Sequence, residues 1–146
     1  MLQFQQHDAA LQLADAWQND FPEDARPHFL EGVIQKSLFN HKQAEEAYRK
    51  ALEIDPEYYQ AALDIADVLL TLKDTERAIQ YLKMAENHPE FRVDSYTAQA
   101  HSLRMLGRDE QAEAILRIVT KEYPDHLSAA LELGRILVET NRPQKG

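Results

Sequence analysis

Apolar residues in this chain recur at helical spacing. In the stretch DIADVLLTL, Ile65, Val68, Leu69 and Leu72 fall three, four and seven residues from the first, on one face of a helix. Strand-like alternation is absent. Ala, Leu, Glu, Gln and Lys dominate, with only four glycines and six prolines, a composition that costs little in helices. The pattern predicts helices over 4–19, 24–39, 41–54, 58–73, 75–87, 92–106, 108–121 and 125–140. Short turns such as FNHKQ, LKDTE and LGRDE join them. Gly107 suits a left-handed turn residue. Asn40 and Asp74 occupy the equivalent region and suit local caps or turns. The tail NRPQKG is expected to fray.

A second, longer period organises these helices. Ala10, Ala44, Ala78 and Ala112 are spaced by 34 residues, as are Gly32, Ala66, Ala100 and Gly134. Gln35, Leu69, Leu103 and Leu137 keep the same interval, and so do Ala14, Tyr48, Leu82 and Leu116. Pro22 and Pro56 are 34 apart and Pro124 follows 68 later, while Pro89 stands one residue early. Several columns in phase mark a repeat. Each period holds two helices. Small residues belong where two helices cross, because a larger side chain would hold the backbones apart. That role falls to Gly32, Ala66, Ala100 and Gly134 on the first helix of each pair, and to the alanine column on the second. Larger residues such as Leu69 and Tyr48 fill the space beside the crossings. The proline closes the second helix, since it cannot continue the hydrogen-bond ladder.

These columns resemble those of the tetratricopeptide repeat. The closest unit is 25–58, with Gly32, Ala44, Tyr48, Ala51 and Pro56 in step. Residues 59–92 follow with Ala66, Leu69, Ala78, Leu82 and Ala85, and 93–126 with Ala100, Leu103, Gly107, Ala112, Leu116 and Pro124. The resemblance implies an all-α class, an α-solenoid of about eight helices stacked as antiparallel pairs in a right-handed superhelix. It divides the chain, as one repeat domain over 1–146, into a second-type half repeat at 1–24, three full repeats, and a capping helix with tail at 127–142. Glu31 and Gln99 stand where the family has an apolar residue, whereas Ile65 and Leu133 keep it. Val119 and Trp17 replace a usual alanine. These departures imply altered packing nearby, most of all near the start, where Phe4, Leu11 and Leu13 either form an exposed edge or pack on helix 24–39.

Composition narrows the function classes. The chain has 146 residues, enough for one domain with a real core. Its formal net charge of -9 opposes phosphate backbones and anionic membranes, so neither nucleic acid nor membrane is an expected partner. With no cysteine, disulfides, thiolate nucleophiles and thiolate zinc sites are excluded. No apolar run approaches a membrane span, and the N-terminal stretch lacks the form of a signal peptide. The expected compartment is the cytoplasm.

The resemblance also implies a concave wall lined by the first helix of each unit. It carries Phe29, Val33 and Lys36, then Leu63, Asp67 and Leu70, then Thr97, His101 and Arg104, and last Leu131, Arg135 and Val138. The early part is largely apolar and the later part holds cations. That distribution suits a peptide with an apolar anchor at one end and acidic character at the other. The alternative for Phe29 and Leu63 is packing between units, and for the arginines solvation or pairing with acids. Chaperone-binding members clamp a C-terminal carboxylate with Lys, Asn and Arg. The matching places here hold Phe29, Val33, Asp64, Asp94 and Ala98, so that clamp is absent, and Asp64 and Asp94 would repel a carboxylate.

Catalytic signatures are missing. No HExxH, glycine-rich phosphate loop or nucleophile elbow occurs. Glu45 and Glu46 stand four residues before Arg49 and Lys50, a spacing for helix-stabilising pairs. Asp67 and His101, as two candidate ligands, do not make a metal site. The expectation is a noncatalytic scaffold, without cofactor, that binds a protein or peptide in its groove. Two alternatives stay open: a self-assembling module that forms a homo-oligomer through its terminal helices, and an accessory repeat region of a larger protein such as an enzyme.

Overall fold

The computed structural model describes residues 2–140, with side chains described from Gln6 onward. Among these residues there are eight α-helices and no strand: α1 (Leu2–Asp20), α2 (Arg26–Ser37), α3 (His41–Ile54), α4 (Tyr59–Thr71), α5 (Thr75–Ala85), α6 (Arg92–Met105), α7 (Asp109–Glu122) and α8 (Leu127–Glu139). Every helix end falls within two residues of the sequence expectation. The tail from Asn141 and the side chain of Phe4 lie outside the described residues. The chain forms two compact units, residues 1–81 and 82–146, divided within α5.

In the first unit, α1 packs on α2, α2 on α3 and α3 on α4. Pro27 sits in the first turn of α2, where its missing N–H costs nothing. The tightest approach is between Gly32 and Tyr48: a Cβ built on Gly32 would lie 2.6 Å from the tyrosine ring. Tyr48 is fully buried there, and Phe29 covers it with ring centroids 5.7 Å apart. Ala44, Ala66 and Ala78 are buried, so at these positions the small-residue columns mark the core of this unit, while Ala10 is only half-buried. The pair expected between Glu46 and Lys50 forms at 3.4 Å. Glu45 turns instead to Arg77 of α5, at 2.8 Å.

In the second unit, α6 packs on α7 and α7 on α8. Ala100, Ala112, Leu116, Val119 and Ile136 form its dry centre. Ser95 is buried and satisfies its hydroxyl by donating to the Leu82 carbonyl, at 2.5 Å. His126 caps α8, its Nδ1 accepting from the Ala129 N–H at 3.1 Å. Gly134 departs from expectation. It is exposed, and no atom lies within 4 Å of a Cβ built there, so it marks no crossing within the described residues.

The turns between paired helices share one device. Phe39, Lys73 and Gly107 have φ of 61°, 67° and 74°, and they stand 34 residues apart. Only the third is glycine. Asn40 and Asp74, expected to shape these turns, follow the left-handed residue. Asn40 instead ties the turn back, its Nδ2 donating to Gln35 Oε1 at 2.8 Å and its N–H to the Gln35 carbonyl at 2.9 Å.

Glu31 and Gln99, the polar departures from the repeat, are both paired. Glu31 Oε2 accepts from Gln18 Nε2 at 3.0 Å. Buried Gln99 donates through Nε2 to Glu86 Oε2 at 2.9 Å and to Ser95 Oγ at 3.0 Å. Both pairs join residues 13 apart, and the second occupies the columns of the first with the residue types exchanged. The intervening column pair, Leu52 and Ile65, is apolar and buried. Each polar insertion is thus matched across its helix contact, which removes the cost of an unsatisfied buried amide.

Candidate functional site

The face formed by the first helix of each pair can be followed separately in each unit. In the first unit, Lys36 of α2 reaches Asp67 of α4 with Nζ 2.6 Å from the carboxylate. The ion pair ties these two helices together. On the same two helices Val33 is 38% exposed, and Leu63 and Leu70 are half-buried. Asp64 is half-buried beside this face and accepts from Gln60 Nε2 at 3.0 Å. Burial pushes its carboxyl above the usual range, against the pull of that hydrogen bond and of Lys36. Phe29 is committed to packing, with Tyr58 4.9 Å away on its other side.

In the second unit, Arg104 of α6 bonds Glu132 and Glu139 of α8, and its pKa is raised chiefly by the Glu132 bond. Arg135 approaches Glu132 at 3.5 Å. Thr97 turns its hydroxyl back to the Asp94 carbonyl at 3.1 Å. His101 is exposed. Leu131 and Val138 stand open at 54% and 79% exposure. A shallow hollow of about 430 Å³ lies among Ala130, Leu131, Gly134, Arg135, Val138 and Glu139.

The twelve wall residues therefore divide by role. Lys36 and Asp67 meet, Arg104 and Arg135 share Glu132, and Phe29 is drawn into an aromatic cluster. Val33, His101, Leu131 and Val138 keep free surface. Of the two readings left open for the later cations, the structure shows pairing with acids: Arg104 bonds Glu132 and Glu139, and the exposed Arg135 approaches the first of them. Sequence reasoning missed both glutamates because they lie 28 and 35 residues from Arg104, on the next first-type helix. Their signal was the repeat itself, which within the second unit brings the first helix of one repeat, α6, to the next first-type helix, α8.

Among the described residues, no group of three or more His, Asp or Glu is placed to hold a metal ion, and no helix is long and apolar enough to cross a membrane. Tyr48 carries a buried hydroxyl that no described protein group bonds, and burial raises its pKa.

Two family models, each described as a tetratricopeptide repeat, match the chain over residues 38–99 and 97–145. No curated protein sequence matches it. Solved structures match it closely in fold. MamA from residue 41 onward, from Desulfovibrio magneticus RS-1, aligns with a TM-score of 0.80 at 18% identity, over 96% of this chain and 79% of that one. YrrB, described as a tetratricopeptide-repeat protein with an unusual peptide-binding site, gives 0.79 at 20% identity over 97% and 73%. The PilF protein of Pseudomonas aeruginosa gives 0.75 at 20% identity over 97% and 72%. With helix pairs at a 34-residue period, small residues buried at the close contacts and matching models over most of its length, the chain belongs to the tetratricopeptide-repeat family.

Proposed function

We propose that this chain is a noncatalytic, cytoplasmic scaffold that holds a peptide or partner helix against the first helices of its repeats. The family's fold supports protein–protein interaction in general. The finer reading rests on one observation made in each unit separately: apolar side chains stand uncovered on first-type helices, Val33 in the first unit and Leu131 and Val138 in the second, beside ion pairs that tie those helices together. Fixed, exposed apolar groups rimmed by charges are what a helix-in-groove or extended-peptide partner needs. The peptide-binding site named for YrrB is in keeping with this reading.

The test is capture from the source cells by the wild-type chain and by Val33→Glu, Val138→Glu and Glu53→Lys. All three positions are exposed, so the fold tolerates them. A partner held by wild type and Glu53→Lys but lost by either valine variant supports the face. Equal capture by all four chains would overturn it.

Self-association is the second reading, favoured by the open α8 surface around Gly134. A light-scattering concentration series separates the two: a mass that rises with concentration, and stops rising in Val138→Glu, supports assembly.

A further inference from the structure

A hollow of the first unit lies away from the face just described, where the α1–α2 turn meets the α3–α4 turn. It measures about 680 Å³ and is lined by residues 20–26 together with Ile54, Asp55 and Tyr58. Phe21 stands 61% exposed over it, and Ile54 is open as well. Asp20, Glu23, Asp24 and Asp55 line it against one cation, Arg26.

The hollow already shows how it treats a cation. Arg26 is gripped by Asp24, its Nε 3.0 Å from Oδ1 and its Nη2 2.7 Å from Oδ2, and lies 5.2 Å over the Trp17 ring. This pair consumes Arg26 and Asp24 together. Asp20 and Glu23 remain, with the exposed Phe21 ring and with Asp55, whose Oδ1 also accepts from the Glu57 N–H at 3.0 Å; the Tyr58 ring already packs on Phe29. Phe21 and Ile54 offer apolar surface to an aliphatic stem, and the carboxylates offer charge to its head.

We propose that this hollow docks a basic side chain of a partner protein: a lysine or arginine whose stem lies on Phe21 and Ile54 and whose charged head meets Asp20, Glu23 and Asp55. The site is separate from the repeat face and stands whether or not that face binds. The chain's charge of -9 draws such a partner in but does not by itself select this hollow.

The probe is an acetylated, amidated peptide alternating lysine and leucine, with its glutamate–leucine counterpart as control. Binding is followed by amide chemical-shift mapping on the full chain. The lysine peptide is expected to shift Phe21, Asp55 and Tyr58, and the glutamate peptide to shift none of them. Phe21→Ala should weaken binding about threefold. Asp20→Asn with Glu23→Gln should weaken it about fivefold and flatten its salt dependence. Val33→Glu should leave these shifts in place, which separates this site from the repeat face. The proposal fails if the lysine peptide binds Phe21→Ala and the paired amide variant as it binds wild type, if its shifts fall on α2 and α4 instead, or if it does not bind at all.

Discussion

Gly32 lies against the ring of Tyr48 so closely that a methyl group in its place would come within 2.6 Å of two ring carbons. In the sequence, the same two columns read Ala66 with Leu82 and Ala100 with Leu116. Glycine accompanies the flat, bulky side chain and alanine the smaller one. Gly32→Ala should therefore destabilise the chain by about 1–2 kcal/mol, overpacking outweighing the gain in helix propensity. In a Tyr48→Leu background the same change should be neutral or stabilising. Urea denaturation of the four chains in this cycle measures the coupling, and simple additivity would refute the steric account.

Phe39 holds a left-handed backbone at φ 61° while its side chain projects into solvent. Gly107 serves the third turn at no such strain. Phe39→Gly should raise stability by up to about 1 kcal/mol, because relief of the strain exceeds the added freedom of the unfolded chain. Lys73→Gly should act likewise. A fall in the thermal midpoint of both variants would show that the turns depend on their side chains.

Gln99 is buried and binds Glu86. Gln99→Leu alone removes the donor and should cost about 1–2 kcal/mol. The double change Glu86→Leu with Gln99→Leu, which copies Leu52 and Ile65 in character, should recover most of that loss. Denaturation midpoints of the single and double variants decide the matter.

Arg26 holds the Asp24 carboxyl down at about 2, from an ordinary 3.8. A lowered carboxylate stabilises the fold fully above its unfolded value and loses that contribution as the pH falls towards the folded one. The effect of Asp24→Asn should thus be present at pH 5 and vanish between about pH 4 and about pH 2. Glu122, lowered by Arg92, acts in the same direction. Asp64 acts in the opposite one: burial raises it, so its contribution is present below 3.8 and is lost as the pH rises through the folded value. Asp64→Asn should therefore stabilise the chain at neutral pH. Thermal melts across pH 2–7 follow all three.

The fold was legible because its information is periodic. Ala44, Ala78 and Ala112 mark their columns whatever surrounds them, and all three are buried. Gly134 shows where the reasoning reached too far: a column states what a position can accommodate, and the described residues supply no neighbour for this one. The candidate face was legible as a set of positions but not as a set of free groups. Whether Arg104 is available depends on Glu132 and Glu139, and such cross-helix pairing follows from rotamers and reach, which spacing does not encode. The hollow beside Phe21 was missed because it is made by two turns, where side chains obey no period.

The exchanged Gln18–Glu31 and Glu86–Gln99 pairs act as a lock and key between neighbouring modules. Gln18 and Glu31 lie on α1 and α2, while Glu86 directly follows α5 and Gln99 lies on α6, so the two halves of each pair belong to successive modules. Moving the 59–92 segment elsewhere in the array, as tandem duplications do, would set Ile65 against a polar counterpart or leave an amide facing Leu52. A reordered array would thus carry unmatched polar groups at its seams, a cost that uniform apolar seams would not bring.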